Sequence, residues 1–176
     1  MNYDQDVQRV LVSESQIQER IGSLALEISK VSDGTPLVLI GVMKGAMLFL
    51  ADLARQLKVP VELEFITAQS YHGGTESSGT VKIISEVPEV RGRNVLLVDD
   101  ILDTGRTLAL LVEKFRALGA SQVHSCVLLQ KKKVRAEKIQ ADFVGFEIED
   151  EFVIGYGLDY QGLYRNLPYI GVLNPS

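Results

Sequence analysis

Residues 95–108 read VLLVDDILDTGRTL, an apolar run followed directly by three carboxylates and a Thr-Gly turn. Residues 108–118 then carry apolar side chains at helical spacing, and Gly119 stands where a left-handed C-cap is expected. A buried strand that leads through a tight turn into a helix is typical of a parallel α/β sheet. Asp99, Asp100 and Asp103 should therefore lie at the carboxyl end of a strand, where open α/β sheets bind ligands.

The same alternation extends over most of the chain. Residues 13–16, SESQ, have the spacing of a capping box and precede an amphipathic helix. Further strands are predicted at residues 36–42, 61–70 and 123–130, and a second helix at 47–57. The tail, 142–172, is aromatic and β-rich, and we expect it to form a small lobe. The predicted architecture is one α/β domain over residues 1–176, with a parallel sheet flanked by helices.

Composition narrows the range of functions. A chain of 176 residues with 46% hydrophobic content can bury a sizeable single core. The formal net charge of −5 disfavours nucleic acid as a partner, since phosphate binding depends on Lys and Arg. No apolar run approaches the ~20 residues of a membrane span, and no N-terminal signal is recognised, so a cytoplasmic protein is expected. The single Cys126 lies in an apolar run and is expected in the core.

The segment after the strand can hold a phosphate. Thr104, Gly105, Arg106 and Thr107 offer backbone N–H groups and hydroxyls, and the following helix adds its positive end. Taken alone, the pattern is equally consistent with a solvated strand end and a Gly turn. Two other phosphate motifs are excluded, since the chain has no GxxxxGK[ST], and GYGLDYQG from Gly155 lacks the GxGxxG interval.

Residues 95–108 resemble the phosphoribosyl diphosphate (PRPP) motif of the type I phosphoribosyltransferases, and the whole chain resembles their hypoxanthine/guanine branch. The resemblance covers nearly all 176 residues and includes, in order, GVMKGAMLF, SYHGGTESSGTVKI, LLQKK and DFVGFEIEDEFVIGYGLDYQGLYRNLPYIGV. It implies the type I phosphoribosyltransferase fold, with a hood lobe from parts of the N-terminal segment and the C-terminal region. It also implies Mg2+ dependence and purine salvage: transfer of 5-phosphoribosyl from PRPP to N9 of hypoxanthine or guanine. A homodimer or homotetramer is expected.

The resemblance implies roles around PRPP. Lys44 and Gly45 would contact the pyrophosphate, next to a cis peptide bond at residues 43–44, and Arg165 would clamp it. Asp99 and Asp100 would hold the ribose hydroxyls and Mg2+, with a bridging water plausible at the shorter Asp99, where many relatives have Glu. The remaining PRPP contacts are the 5-phosphate loop, formed by Thr104, Gly105, Arg106 and Thr107, and a lid over residues 70–82 that begins with Ser70 and Tyr71.

Other roles implied by the resemblance concern the purine. Asp103 would be the general base that takes the N7 proton, and Lys131 would donate to the 6-oxygen. Phe152 would stack on the ring, and Val153 would present backbone groups to its edge. Asp159 would lie near the purine and a second Mg2+. The neighbours of Lys131, namely Lys132, Lys133 and Arg135, are interpreted as a solvated basic patch.

Two other classes of protein stay open. One is a PRPP-sensing regulator without turnover, and the other is a phosphatase of the haloacid-dehalogenase type. The regulator usually needs a nucleic-acid surface or an added domain, which a short acidic chain does not predict. The phosphatase needs an Asp-x-Asp nucleophile, whereas here the acids are adjacent and then three apart. The presence of both Asp103 and Lys131 favours the transferase.

Overall fold

The structure is a computed structural model that describes residues 6–70, 81–134 and 137–174. Strands and helices alternate through the middle of the chain, as predicted. The elements are β1 (Val7–Val12), α1 (Glu14–Ser32), β2 (Leu37–Met43), α2 (Met47–Gln56), β3 (Val61–Ser70), β4 (Val81–Ile83), β5 (Asn94–Leu102), α3 (Arg106–Ala117), β6 (Gln122–Lys131), β7 (Phe143–Ile148), β8 (Val153–Ile154) and β9 (Ile170–Leu173).

The main sheet has the strand order β4-β3-β2-β5-β6-β7. Strands β3, β2, β5, β6 and β7 run parallel, and the short β4 lies antiparallel to β3 at one edge. Because the central strands are covered on both faces, they are almost continuously apolar; six of the seven residues of β2 are buried. The α/β sheet predicted from the sequence is confirmed.

Helices cover both faces of this sheet. On one face α1 and α2 bury a core that includes Ile17, Leu24, Phe49 and Cys126, so the prediction for the cysteine is confirmed. On the other face α3 packs through a second apolar cluster. The capping box at Ser13 is also confirmed, since its Oγ accepts from the Gln16 N–H at 3.3 Å while Gln16 Oε1 accepts from the Ser13 N–H at 2.9 Å.

Two predictions of the boundaries were wrong. Helix α3 begins at Arg106 rather than at residue 108, because the polar residues after Gly105 already form its first turn. The tail 142–172 is not one lobe: β7 joins the main sheet, parallel to β6, and only β8 and β9 pair with β1 in a small antiparallel sheet. In the described part of the chain, no helix has the length and apolar character of a membrane span.

Candidate active site

Three charged residues meet because neighbouring strands end together. Asp103 follows the last residue of β5, Lys131 is the last residue of β6, and Asp150 comes two residues after β7. In the sheet, β6 lies between β5 and β7, and all three strands are parallel. Their carboxyl ends therefore place a carboxylate, an ammonium group and a second carboxylate side by side at one edge of the sheet.

These residues and Lys133 form what we call the lysine–aspartate cluster. The Nζ atom of Lys131 lies 2.9 Å from Oδ1 of Asp150 and 3.6 Å from Oδ2 of Asp103. The Nζ atom of Lys133 pairs with Oδ1 of Asp103 and lies 3.2 Å from Oδ1 of Asp150. Each lysine thus contacts both carboxylates, and the Lys131 side chain is only 11% exposed.

The interpretation of the basic run as a solvated patch is wrong for Lys133. Its side chain is 27% exposed and is turned inward because two carboxylates lie within reach. Lys132 fits the interpretation, being 51% exposed with its Nζ 3.4 Å from Glu149. Arg135 lies outside the described residues. Sequence reasoning also missed Asp150, although its place just after a strand end was a usable signal.

The pairing in the cluster has electrostatic consequences. The hydrogen bond with Asp103 raises the pKa of Lys133 above its usual value. Hydrogen bonds from Lys131, and then from Lys133, lower the pKa of Asp150. Both effects favour the charged forms, because each charge is stabilised by an opposite charge close to it.

Asp99 and Asp100, at the end of β5, form a pair of acids in a desolvated environment. Asp99 is 8% exposed, and its Oδ1 accepts from the Asp100 N–H at 2.9 Å. Burial, and then the charge of Asp100, raises the pKa of Asp99 well above its usual range; burial also raises the pKa of Asp100. The two carboxylates are therefore not both ionised at low cost unless a cation is present.

This acid pair fits Mg2+, because the ion prefers hard oxygen ligands and commonly uses one or two carboxylates with substrate phosphates and water. Within residues 6–70, 81–134 and 137–174, no group of three or more His, Cys, Asp or Glu side chains could hold a metal. Asp99 and Asp100 would thus supply two carboxylates, and substrate and water oxygens would complete the shell.

A close backbone contact lies beside the acid pair. A Cβ at Gly45 would overlap the carboxylate of Asp100, and a Cβ at Gly157 would overlap the carbonyl oxygen of Gly45. Only glycine fits at both positions, and Gly157 also has a φ of +98°. The peptide bond between Met43 and Lys44 is cis, and Lys44 is exposed.

The loop between β5 and α3 has the form expected of an anion site. Gly105 is the N-cap of α3 with a φ of +82°, and a Cβ there would lie 2.8 Å from Cγ2 of Ile139. The Glu137 N–H donates to the Thr104 carbonyl oxygen at 3.3 Å. Gly105 has no side chain to cap α3, and the Arg106 N–H reaches the Thr104 Oγ1 only at 3.5 Å, so the N–H groups of the first turn can bind an anion.

Arg165 and Asp159 pair with each other. Arg165 Nη2 lies 2.6 Å from Asp159 Oδ1, and Arg165 Nη1 donates to the Gly157 carbonyl oxygen at 2.5 Å. The other oxygen of Asp159 accepts from the Gly162 N–H at 2.8 Å. The arginine is thereby held against the loop that packs on Gly45, where the resemblance expects a contact with pyrophosphate.

Phe152 and Val153 differ in burial. Val153 is 6% exposed in β8, whereas Phe152 is 55% exposed and meets Tyr160 edge to face at a ring separation of 5.6 Å. A cavity of about 480 Å³ lies beside Phe152, and the described residues that line it do not include Lys131 or Asp103. Of the predicted lid, Ser70 ends β3, while Tyr71 lies outside the described residues.

Known proteins resemble the chain over nearly its whole length. A family model described as "Phosphoribosyl transferase domain" matches residues 13–161. The chain is 48% identical over 173 residues to a Bacillus subtilis protein named hypoxanthine-guanine phosphoribosyltransferase, covering 97% of this chain and 96% of that one. A Lactococcus lactis protein of the same name is 45% identical over 176 residues, with 99% and 96% covered.

Solved structures are also similar to the chain over nearly its whole length. A crystal structure of a hypoxanthine phosphoribosyltransferase from Staphylococcus aureus superposes with a TM-score of 0.93 at 41% identity, covering 99% of this chain and 97% of that one. A Trypanosoma cruzi hypoxanthine phosphoribosyl transferase, in a study of its oligomeric state and activity, gives a TM-score of 0.91 at 39% identity, with 97% and 93% covered.

Proposed function

The chain belongs to the phosphoribosyltransferase family, in its hypoxanthine-guanine branch, and from this premise we propose how its residues carry out the reaction. The enzyme transfers 5-phosphoribosyl from PRPP to N9 of hypoxanthine or guanine, giving IMP or GMP and pyrophosphate in purine salvage. The regulator and the phosphatase are not favoured, because the relatives are named as transferases.

One observation carries the assignment of the purine site. The Lys131 ammonium group and a carboxylate oxygen of Asp103 lie 3.6 Å apart at one edge of the sheet. On one edge a 6-oxopurine presents its 6-oxygen, an acceptor, beside N7, which carries a proton in the free base that reacts through N9. A fixed donor beside a fixed acceptor matches this edge, so Lys131 binds the 6-oxygen and Asp103 binds the N7 proton.

The chemical step moves one bond and one proton. The bond between the ribose carbon and the pyrophosphate oxygen breaks, and its electron pair leaves with pyrophosphate. The N9 lone pair forms the new bond, and Asp103 takes the N7 proton that the product would otherwise carry as positive charge. Stacking on Phe152 and backbone contacts at Val153 orient the ring for this attack.

PRPP binds across the carboxyl edge of the sheet in this proposal. The 5-phosphate lies in the loop of Thr104, Gly105, Arg106 and Thr107, at the start of α3. Lys44, Gly45 and Arg165 contact the pyrophosphate. Asp99 and Asp100 hold the ribose hydroxyls and Mg2+, and a second Mg2+ lies near Asp159. When bound, Mg2+ offsets the charge of the leaving pyrophosphate.

The small sheet of β1, β9 and β8 is proposed as the hood, within a single domain that spans residues 1–176. It joins the N-terminal segment to the C-terminal region, which fits the expected composition of that lobe. The lid role of Ser70 and Tyr71 stays a prediction. Slower hydrogen exchange in this segment when a transition-state analogue binds would support it.

We also propose a homo-oligomer, either a dimer or a tetramer, in the cytoplasm. Leu63 and Phe65 lie on the outer half of the sheet at 45% and 51% exposure, and large exposed apolar side chains of this kind commonly mark contacts between subunits. The free, buried Cys126 fits a reducing compartment. Light scattering of the purified protein would give the number of subunits, and cell fractionation the location.

The function is tested with purified protein, PRPP and each purine base, with and without Mg2+. Nucleotide and pyrophosphate should appear in equal amounts with hypoxanthine and guanine. Neither should appear with adenine, because the ammonium of Lys131 has no acceptor for a 6-amino group. Phosphate release from PRPP without a base would instead indicate a phosphatase, and tight PRPP binding without product would indicate a regulator.

A further inference from the structure

Lys133 lies outside the set of residues to which the family resemblance gives a role, yet it contacts the proposed base. Its Nζ pairs with Oδ1 of Asp103, whereas the Nζ of Lys131 faces the other oxygen, Oδ2, at 3.6 Å. Each of the two ammonium groups thus pairs with a different oxygen of the Asp103 carboxylate. Only the oxygen on the Lys131 side adjoins the position assigned to the 6-oxygen.

We propose that Lys133 is a positioning residue for Asp103: it holds Oδ1, so that Oδ2 is directed at the purine N7. This inference rests on the proposed role of Asp103 as general base. An Asp carboxylate rotates in a broad, two-fold torsional well, so a fixed partner on one oxygen restricts where the other points. A restricted base spends more of its time aligned with the proton it must take.

The charged partners of Asp103 explain why a second lysine is useful. Lys131 and Lys133, at and after β6, both pair with its carboxylate, and Asp150, after β7, lies against both lysines. Because Lys131 also has to bind the 6-oxygen, Lys133 is the partner left to hold the carboxylate in place.

The contact stabilises the charged lysine. The hydrogen bond with Asp103 raises the pKa of Lys133 above its usual value. Asp150 supports the arrangement from the far side, because its carboxylate lies 2.9 Å from Lys131 and 3.2 Å from Lys133 and so separates two like charges.

The test compares three variants. Lys133→Gln removes the charge, Lys133→Arg keeps it, and Lys132→Gln removes a neighbouring, more exposed charge as the matched control. In Lys133→Gln the value of kcat with hypoxanthine should fall about three- to tenfold through looser alignment, while the KM for PRPP stays near the wild-type value. Lys133→Arg should restore most of kcat, and Lys132→Gln should change neither constant.

An unchanged kcat in Lys133→Gln overturns the inference, as does an equal loss in Lys132→Gln or a Lys133→Arg variant no faster than Lys133→Gln. A double variant separates this failure from a failure of the proposed function. Because Lys133 acts through Asp103, Lys133→Gln should cost little further rate in an Asp103→Asn background, and an undiminished further loss there would contradict the positioning role. A near-normal rate in Asp103→Asn alone would contradict the role of Asp103 as general base.

Discussion

Replacement of Lys131 by alanine should change which bases the enzyme accepts. The side chain is 11% exposed, and its ammonium group lies at the meeting point of β5, β6 and β7. A hydrogen bond from a charged donor is worth about 1.5–3 kcal/mol, and each 1.4 kcal/mol is a factor of about ten. We therefore expect kcat/KM for hypoxanthine and guanine to fall about 10- to 150-fold. The affinity for adenine should not change, since adenine makes no such bond.

The assay follows nucleotide formation from each base at saturating PRPP. Adenine turnover should lie near the detection limit, so its affinity is better measured as a competitive inhibition constant against hypoxanthine. Lys132→Ala serves as the control, because it removes an adjacent lysine whose side chain is 51% exposed. Thermal unfolding of both variants shows whether the loss of charge has disturbed the fold.

The ratio between bases is the decisive quantity. Loss of Lys131 also removes a cation from beside Asp103, which would slow proton transfer from hypoxanthine and guanine. The binding affinities of hypoxanthine and adenine do not contain that step, so the ratio of their affinities isolates the contact with the 6-oxygen. Equal losses for hypoxanthine and adenine would refute the proposed contact, and unchanged values for both would place Lys131 among the solvated lysines.

Three further predictions follow from the site. Asp103→Asn should lower the rate of nucleotide formation about 10²- to 10⁴-fold with little change in PRPP affinity, and a near-normal rate would mean that another group takes the N7 proton. Burial, and then the charge of Asp100, raises the pKa of Asp99 above its usual value, so the stability that Asp99 contributes is fully present below that usual value and is lost as pH rises through the folded pKa. The Tm without divalent cation should therefore fall with rising pH, more steeply than in Asp99→Asn, and added Mg2+ should raise the Tm more at pH 8 than at pH 5; equal pH slopes in the two proteins would contradict this. Gly157→Ala should destabilise the fold by well over the roughly 1–3 kcal/mol of backbone strain alone, because its Cβ overlaps a carbonyl oxygen, whereas Gly92→Ala, with a similar positive φ and open space around it, should show the strain only; denaturant titration of both variants measures the difference.

The sequence predicted those parts of the fold that are recorded in local patterns. Strands β2, β5 and β6 are continuous apolar runs because helices cover both faces, and that pattern is visible without knowledge of the neighbours. The capping box at Ser13 and the left-handed Gly119 are likewise local. The motif 95–108 placed the acids at a strand end for the same reason.

What the sequence did not predict depends on which strands become neighbours. Nothing in the residues around Lys133 shows that β7 will lie beside β6, and only this pairing brings Asp150 within reach of both lysines. The small sheet was missed in part for a similar reason, since β1 has no clear alternation and pairs with β9 at the other end of the chain. A solvated patch is the sound interpretation of a lysine run until its partners are known.

In the main sheet, the edge formed by the amino ends of the parallel strands lies opposite the edge that carries the lysine–aspartate cluster. The turns that enter β5 and β6 lie at this amino edge, joined by a hydrogen bond from the Gly92 N–H to the Gly119 carbonyl oxygen at 2.7 Å. Since β5, β6 and β7 bring their site residues to the other edge of the main sheet, a label, tether or short insertion in these turns lies a full strand length from that cluster. The amino edge is therefore the place to attach a fluorophore or immobilise the enzyme on a surface.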